Sequence, residues 1–201
     1  MRTGIFGGSF NPVHNGHINF AENIIKEAAL DRIIFVPTCG TPLKDTPLAP
    51  QQDRVNMLKI AAGQNSSFSV SEAEIERGGI SYTYQTVREF KKLYPNDDLF
   101  LIIGEDQFLN FTAWKNWREI IENASLCTAL RLNSTKKSKL CDYAQNVLKI
   151  QKGYYFVASF EALEISSSQI RQAVKNGEEI ERFVGKEVAE YIKERGLYLD
   201  I

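Results

Sequence analysis

Thr3-Gly4-Ile5-Phe6, followed directly by Gly7-Gly8-Ser9-Phe10-Asn11-Pro12-Val13-His14-Asn15-Gly16-His17, decides how the rest of the chain is read. The apolar run reads as a strand, and a glycine-rich turn ends it just before a helical pattern starts at His17. Glycines let backbone N–H groups approach a phosphate closely, and the N-terminus of the following helix adds partial positive charge. The chain has two histidines, His14 and His17, and both lie in this turn. Imidazoles placed there can donate to phosphate oxygens and support charge that develops during transfer. The competing explanation is a structural turn with one exposed and one packed histidine. Gly-Gly joined to His-x-Gly-His at a helix start favours the phosphate site over it.

Two familiar phosphate loops are excluded by residue type. Gly16 is followed by His17, and Gly185-Lys186 by Glu187, so neither matches a Walker A loop. Gly4-x-x-Gly7-Gly8 differs from the dinucleotide fingerprint, which disfavours a hydride-transferring dehydrogenase. A zinc site at the histidine pair lacks a third ligand, because Glu22 lies over a turn along the helix and Cys39 is isolated in a loop.

Outward from that turn, short apolar runs alternate with helical patterns. The runs are Thr3 to Phe6, Arg32 to Val36, Phe68 to Ser71, Leu99 to Ile103, Leu126 to Leu130 and Tyr154 to Ala158. Between them, His17 to Ala29, Gln51 to Ala62, Tyr84 to Leu93, Trp117 to Asn123 and Leu140 to Ile150 carry helical spacing. This alternation predicts an α/β fold, a doubly wound, mainly parallel open sheet with right-handed crossovers. From Ser166 onward the pattern is wholly helical, through Ile170, Val174, Val184, Val188, Tyr191 and Ile192 to a capping Gly196. Residues 1–201 read as one domain with 166–201 as its helical C-terminal part. The proline-rich stretch Thr38 to Pro50 is the least structured, and long loops of this kind are often functional. Ligands of such sheets bind beyond the carboxyl ends of the strands.

Composition bounds the function. The 201 residues carry 24 Lys+Arg against 25 Asp+Glu, a net charge of -1, which argues against extended nucleic-acid binding. Hydrophobic and charged shares of 43% and 24% are ordinary for a folded globular chain, and no run is long enough to span a membrane. Three separated cysteines, Cys39, Cys127 and Cys141, read as reduced thiols. With an N-terminus that turns glycine-rich before any signal-peptide core, they give the expectation of a cytoplasmic protein.

A second anion-binding candidate opens the late helix, at Ile165-Ser166-Ser167-Ser168-Gln169-Ile170-Arg171. It is a helix N-terminus dense in hydroxyls with a cation on its first turn, suited to a triphosphate. Ser166 and Gln169 also have capping-box spacing, which needs no ligand. With the His-x-Gly-His turn, this segment resembles the nucleotidyltransferase superfamily, whose hallmarks are that turn and Ile-Ser-Ser-Thr-x-Ile-Arg. Over essentially the whole chain the resemblance is strongest to the bacterial nicotinate mononucleotide adenylyltransferase family. Thr41-Pro42-Leu43-Lys44 stands where that family has Pro-Pro-His-Lys or Pro-Pro-His-Arg, so Lys44 is retained and Leu43 replaces a histidine. Ser81-Tyr82-Thr83 matches Ser-Tyr-Thr at the acceptor pocket, although Ser81 or Thr83 could equally be a plain helix cap. Gly104-Glu105-Asp106 follows a strand, where an acidic group can bind ribose hydroxyls. Trp114 and Trp117 come next, the first read as a stacking residue and the second as core. Asn11 replaces the superfamily's aspartate, and Arg131 is kept without the usual Pro-Gly after it.

The resemblance implies a Rossmann-like nucleotidyltransferase fold and the joining of ATP with nicotinate mononucleotide to give nicotinate adenine dinucleotide and pyrophosphate. It implies His14, His17, Lys44 and Arg171 as catalytic groups. ATP would lie against Gly7, Gly8, Ser9, Phe10, His14, His17, Gly104, Asp106, Ile165, Ser166, Ser167, Ser168 and Arg171, and the acceptor against Lys44, Tyr82, Thr83, Trp114 and Arg131. Magnesium would be held mainly by the ATP phosphates rather than by protein ligands. Nicotinamide mononucleotide or phosphopantetheine as acceptor, or a nucleotide-binding module without chemistry, are the alternatives. Partners are small molecules rather than nucleic acid or membrane, and homo-oligomerisation is left open.

Overall fold

The computed structural model describes residues 1–40, 49–130, 137–151, 153–160, 163 and 165–199. Six strands form one sheet: β1 (Arg2–Gly8), β2 (Arg32–Pro37), β3 (Phe68–Val70), β4 (Asp98–Ile102), β5 (Ser125–Ala129) and β6 (Tyr155–Ala158). Their order is β3-β2-β1-β4-β5-β6 and every pairing is parallel. All carboxyl ends therefore lie along one edge. The chain leaves β1 toward β2 on one side and returns to β4 on the other, so a crevice opens above β1 and β4.

Alternation along the strands feeds two cores. Phe6, Ile33, Phe35, Phe100, Ile102 and Cys127 face one, where α1 (Asn15–Glu27) and α2 (Gln51–Ala62) pack through Ala21, Ile24, Met57 and Leu58. Ile5, Ile34, Val36, Leu99, Leu101 and Leu126 face the other. That face is covered by α3 (Ala73–Arg77), α4 (Thr83–Leu93), α5 (Glu105–Leu109), α6 (Trp117–Asn123) and α7 (Lys137–Asp142). Burial on both faces is why the strands read as near-continuous apolar runs rather than as alternation.

The C-terminal part is helical, as expected: α8 (Ser167–Lys175), α9 (Glu181–Val184) and α10 (Lys186–Glu194) place Ile170, Val184, Val188 and Ile192 in the first core. Gly196 follows at a φ of 59° and its N–H bonds the Lys193 carbonyl, the left-handed exit that favours glycine.

Three features differ from the expectation. α1 begins at Asn15 rather than His17, because the His14 carbonyl already accepts from the N–H groups of His17 and Ile18. The helix expected over Leu140 to Ile150 is α-helical only to Asp142 and continues as a π-turn over Tyr143–Val147. α3 and α5, of five residues each, are too short to show a period. No helix among the described residues is long and apolar enough to cross a membrane.

Leu101 lies in the second core, 2% exposed, on a strand flanked by two others. Leu101→Ala is expected to cost about 2–5 kcal/mol. Urea unfolding should show a lower midpoint with an unchanged slope.

Candidate active site

The turn after β1 is held from below by Phe10. Its ring is buried against Phe6 and Phe35, with centroids at 5.7 and 5.8 Å, while its backbone adopts a φ of 44°. A Cβ on Gly8 would sit 3.0 Å from that ring, so the glycine lets the turn fold back over its own anchor. Phe10 thus supports the loop with its side chain and has only backbone groups to offer a nucleotide.

His14 precedes α1 and His17 lies in its first turn. Their rings stack at 3.6 Å with 24° between planes. The His14 backbone N–H donates to His17 Nδ1 at 3.2 Å, which in the neutral ring leaves the proton on Nε2. Phe6 and Phe10 close on His17 at 6.3 and 5.1 Å. A Cβ on Gly16 would lie 2.9 Å from His14 Nδ1 and 3.3 Å from the Leu163 carbonyl, so only glycine leaves the ring its place.

Burial sets the charge of both imidazoles. Desolvation pulls His14 down to about 4, and holds His17 well below the usual histidine range, with repulsion from His14 adding to it. At neutral pH the pair is uncharged. Such a pair can offer N–H donors to an anion, and among the described residues Arg171 and Arg54 bring formal positive charge to the loop.

The Ser-rich turn meets the same loop from the other side. Ser166 forms the anticipated capping box, its Oγ accepting from the Gln169 N–H at 3.2 Å and its N–H reaching Gln169 Oε1 at 3.1 Å. Ser167 Oγ donates to the Pro12 carbonyl at 2.9 Å, and Arg171 Nη1 to the Asn11 carbonyl at 2.8 Å. Arg171 Nη2 reaches Ser168 Oγ at 3.1 Å. These contacts use two of the five guanidinium N–H donors. The turn is therefore a cap and a clamp on the histidine loop at once. Asn11, buried, accepts the Ala49 N–H on Oδ1 at 3.0 Å, an acceptor role that an amide fills as well as a carboxylate.

Gly104 precedes α5 directly beyond β4, and Asp106 stands exposed on the first turn of that helix. Their strand neighbours β1 with Phe6 opposite Ile102, which sets them beside the histidine loop across the crevice.

Farther along the edge, Ser81 takes no part in capping α4. Its N–H donates to the Gly40 carbonyl at 2.8 Å and its Oγ accepts from the Cys39 N–H at 2.9 Å. The cap position belongs to Tyr82, without a side-chain bond, and Thr83 is the first helical residue. This corrects the expectation of a Ser81 or Thr83 cap: the serine ties its turn to the segment after β2 instead. Lys115 Nζ lies 4.3 Å over the Tyr82 ring, which draws Tyr82 and the Trp114 segment into one neighbourhood. Trp114 and Trp117 are both partly buried, packed around Phe111 at 5.2 and 6.5 Å. Lys44, Leu43 and Arg131 lie outside the described residues.

Comparison with known proteins identifies the family. The cytidylyltransferase-like family model matches residues 5–173. A protein named as a probable nicotinate-nucleotide adenylyltransferase from Dictyoglomus thermophilum is 37% identical over 99% of this chain and 100% of its own length. One of the same name from Clostridium tetani is 35% identical, covering 96% and 97%. The chain belongs to the nicotinate-nucleotide adenylyltransferase family. It is an enzyme of the nucleotidyltransferase class. The Plasmodium falciparum nicotinic acid mononucleotide adenylyltransferase shares its fold, with a TM-score of 0.77 at 19% identity over 98% of this chain and 96% of that one.

For this family member, the structure brings the histidine loop, the Ser166–Ser168 turn and Arg171 into direct contact. One buried group was not anticipated. Arg54 of α2 is 0% exposed and hydrogen-bonds the carbonyls of Ser9, Thr38 and Ala49. Its signal in the sequence is a cation at helical spacing with Met57 and Leu58, on the apolar stripe of the helix.

Because folding depresses His14 and His17, the unfolded chain binds more protons below its own histidine range. Stability should be full above pH 7 and fall as pH drops from about 6.5 toward 4. His14→Gln should flatten that slope in pH-dependent thermal melts. Gly16→Ala is expected to displace the His14 ring and weaken binding of ATP with little change in melting temperature, as followed by calorimetric titration.

Proposed function

We propose that this nucleotidyltransferase joins ATP and nicotinate mononucleotide, as the names of its relatives indicate, through the residues gathered above β1 and β4. The observation that carries the reading is the joint between the stacked His14–His17 pair and the Arg171 helix, two features far apart in sequence that meet at one loop. The acceptor's phosphate oxygen attacks the α-phosphorus of ATP in line. The bond from that phosphorus to the bridging oxygen breaks, and pyrophosphate leaves with the electron pair. The nucleophile is already an anion, so no strong protein base is needed, and catalysis rests on positioning and electrostatic stabilisation.

In this reading the N–H groups of the two imidazoles donate to phosphate oxygens, with His17 the transition-state stabiliser. An arriving triphosphate favours their protonated forms, so their affinity for protons rises as ATP binds. Arg171, already fixed on Asn11, flanks the phosphates as a cation, and Lys44 is assigned the same task from the acceptor side. Gly7, Gly8 and Ser9 supply backbone donors. Gly104 and Asp106 face the nucleoside, Asp106 through ribose hydroxyls. Tyr82, Thr83, Trp114 and Arg131 hold the acceptor, with the indole of Trp114 against its pyridine ring.

Magnesium belongs to the reaction as a partner of ATP. The ion would be carried mainly on triphosphate oxygens and water, because magnesium keeps much of its hydration shell. When bound it supplies neutralisation of phosphate charge.

Pyrophosphate release should be measured with ATP and magnesium, offering nicotinate mononucleotide, nicotinamide mononucleotide and phosphopantetheine separately. Strong preference for the first is expected, and preference for either of the others would overturn the acceptor assignment. His17→Ala should lower turnover by roughly 100-fold or more while the fold persists. Near-normal turnover in that variant would remove His17 from the chemistry.

A further inference from the structure

We propose that Arg54 is a positioning residue that holds the nucleotide loop and the acceptor turn in register. The inference rests on the assignment above of the loop after β1 to ATP and of the Ser81–Thr83 turn to the acceptor. Arg54 reaches out of the first core and donates from Nη1 to the Ser9 carbonyl at 2.8 Å, from Nη2 to the Thr38 carbonyl at 2.7 Å and from Nε to the Ala49 carbonyl at 3.3 Å. None of the three carbonyls belongs to the hydrogen-bond ladder of the sheet. Ser9 lies in the nucleotide loop. Thr38 and Ala49 flank the segment that carries Lys44.

The contacts to Thr38 and Ala49 are relayed. The peptide whose carbonyl is Thr38 carries the Cys39 N–H, which donates to Ser81 Oγ, and the Ser81 N–H returns to the Gly40 carbonyl. A cation pulling on the carbonyl strengthens the N–H of the same peptide as a donor, so Arg54 tightens the link to the acceptor turn. Ala49, held by Nε, also donates its N–H to Asn11 Oδ1 in the histidine loop, and the Asn11 carbonyl is the one held by Arg171. One guanidinium thus ties together three segments that the strands alone leave to separate loops.

Burying a guanidinium against carbonyls alone is a costly way to fill a core position, and desolvation lowers its proton affinity accordingly. A methionine would pack there without that cost. The rigid fork, with donors pointing in three directions, is what methionine and lysine lack.

The test uses the whole chain with Arg54→Met, Arg54→Lys and a control, Val87→Ala, in the opposite core. In the Arg54 variants, kcat/KM for ATP and for nicotinate mononucleotide should both fall by roughly 10- to 100-fold per folded molecule. The control should lose urea resistance but keep both values. In Arg54→Ala, millimolar guanidinium should restore part of the rate and methylammonium should not. Wild-type kcat/KM in the Arg54 variants, or an equal loss in Val87→Ala, would overturn the proposal. A fall for ATP alone would overturn the link to the acceptor turn. If the wild-type chain releases no pyrophosphate with any acceptor, the functional reading fails instead, and hydrogen exchange decides this one. Joint loss of protection at the Cys39 and Ser81 amides in Arg54→Lys supports it, and unchanged protection at either overturns it.

Discussion

Ser167 donates to the Pro12 carbonyl and Arg171 to the Asn11 carbonyl, contacts that span 155 and 160 residues of chain. The candidate site depends on this closure. A parallel sheet delivers all its carboxyl ends to one edge but leaves the loops there to find their own supports. Here the last helical part returns over the first loop, and its opening turn meets that loop through a hydroxyl and a guanidinium. The alignment of the late helix N-terminus with the histidine pair follows from these two bonds. Below them the packed ring of Phe10 and the buried fork of Arg54 hold the loop from the core side.

Burial does the electrostatic tuning. His14 and His17 stack in a wall of aromatic rings, and desolvation keeps both neutral at physiological pH. Neutral imidazoles can donate to phosphate without two adjacent positive charges repelling each other. Among the described residues, Arg171 and the more deeply buried Arg54 are fixed by hydrogen bonds to neutral groups, four of them the backbone carbonyls of Ser9, Thr38, Ala49 and Asn11. Their positive potential is left for an anionic ligand to answer.

Much of this was legible in the sequence, for identifiable reasons. The six strands stood out because both faces are buried, so Arg32 to Val36 or Leu99 to Ile103 could hardly be anything else in a chain of alternating periods. The histidine turn stood out because glycine spacing and two imidazoles coincide there. The Ser-rich turn left capping and triphosphate binding open; Ser166 does cap the helix, while Ser167 and Arg171 clamp the histidine loop, a contact that residue type alone did not announce. Other features escaped. α3 and α5 are too short for a helical period, and the π-turn after Asp142 breaks no pattern that residue type reveals. Ser81 passed for a helix cap because the partners that claim it, Cys39 and Gly40, are distant in sequence. Arg54 escaped because a cation on an apolar stripe announces a conflict without naming the carbonyls that resolve it.

The central claim is that burial holds two stacked histidines neutral in the loop proposed to receive the triphosphate. With only two histidines in the chain, nitrogen-15 NMR of the imidazoles reads both directly. Titration of the free protein should leave both rings neutral from pH 8 down past pH 6, with His14 protonating only near 4. A non-hydrolysable ATP analogue with magnesium should shift the nitrogens of both rings and raise their proton affinity. Two histidines that titrate near 6.5 in the free protein and ignore the nucleotide would contradict the account.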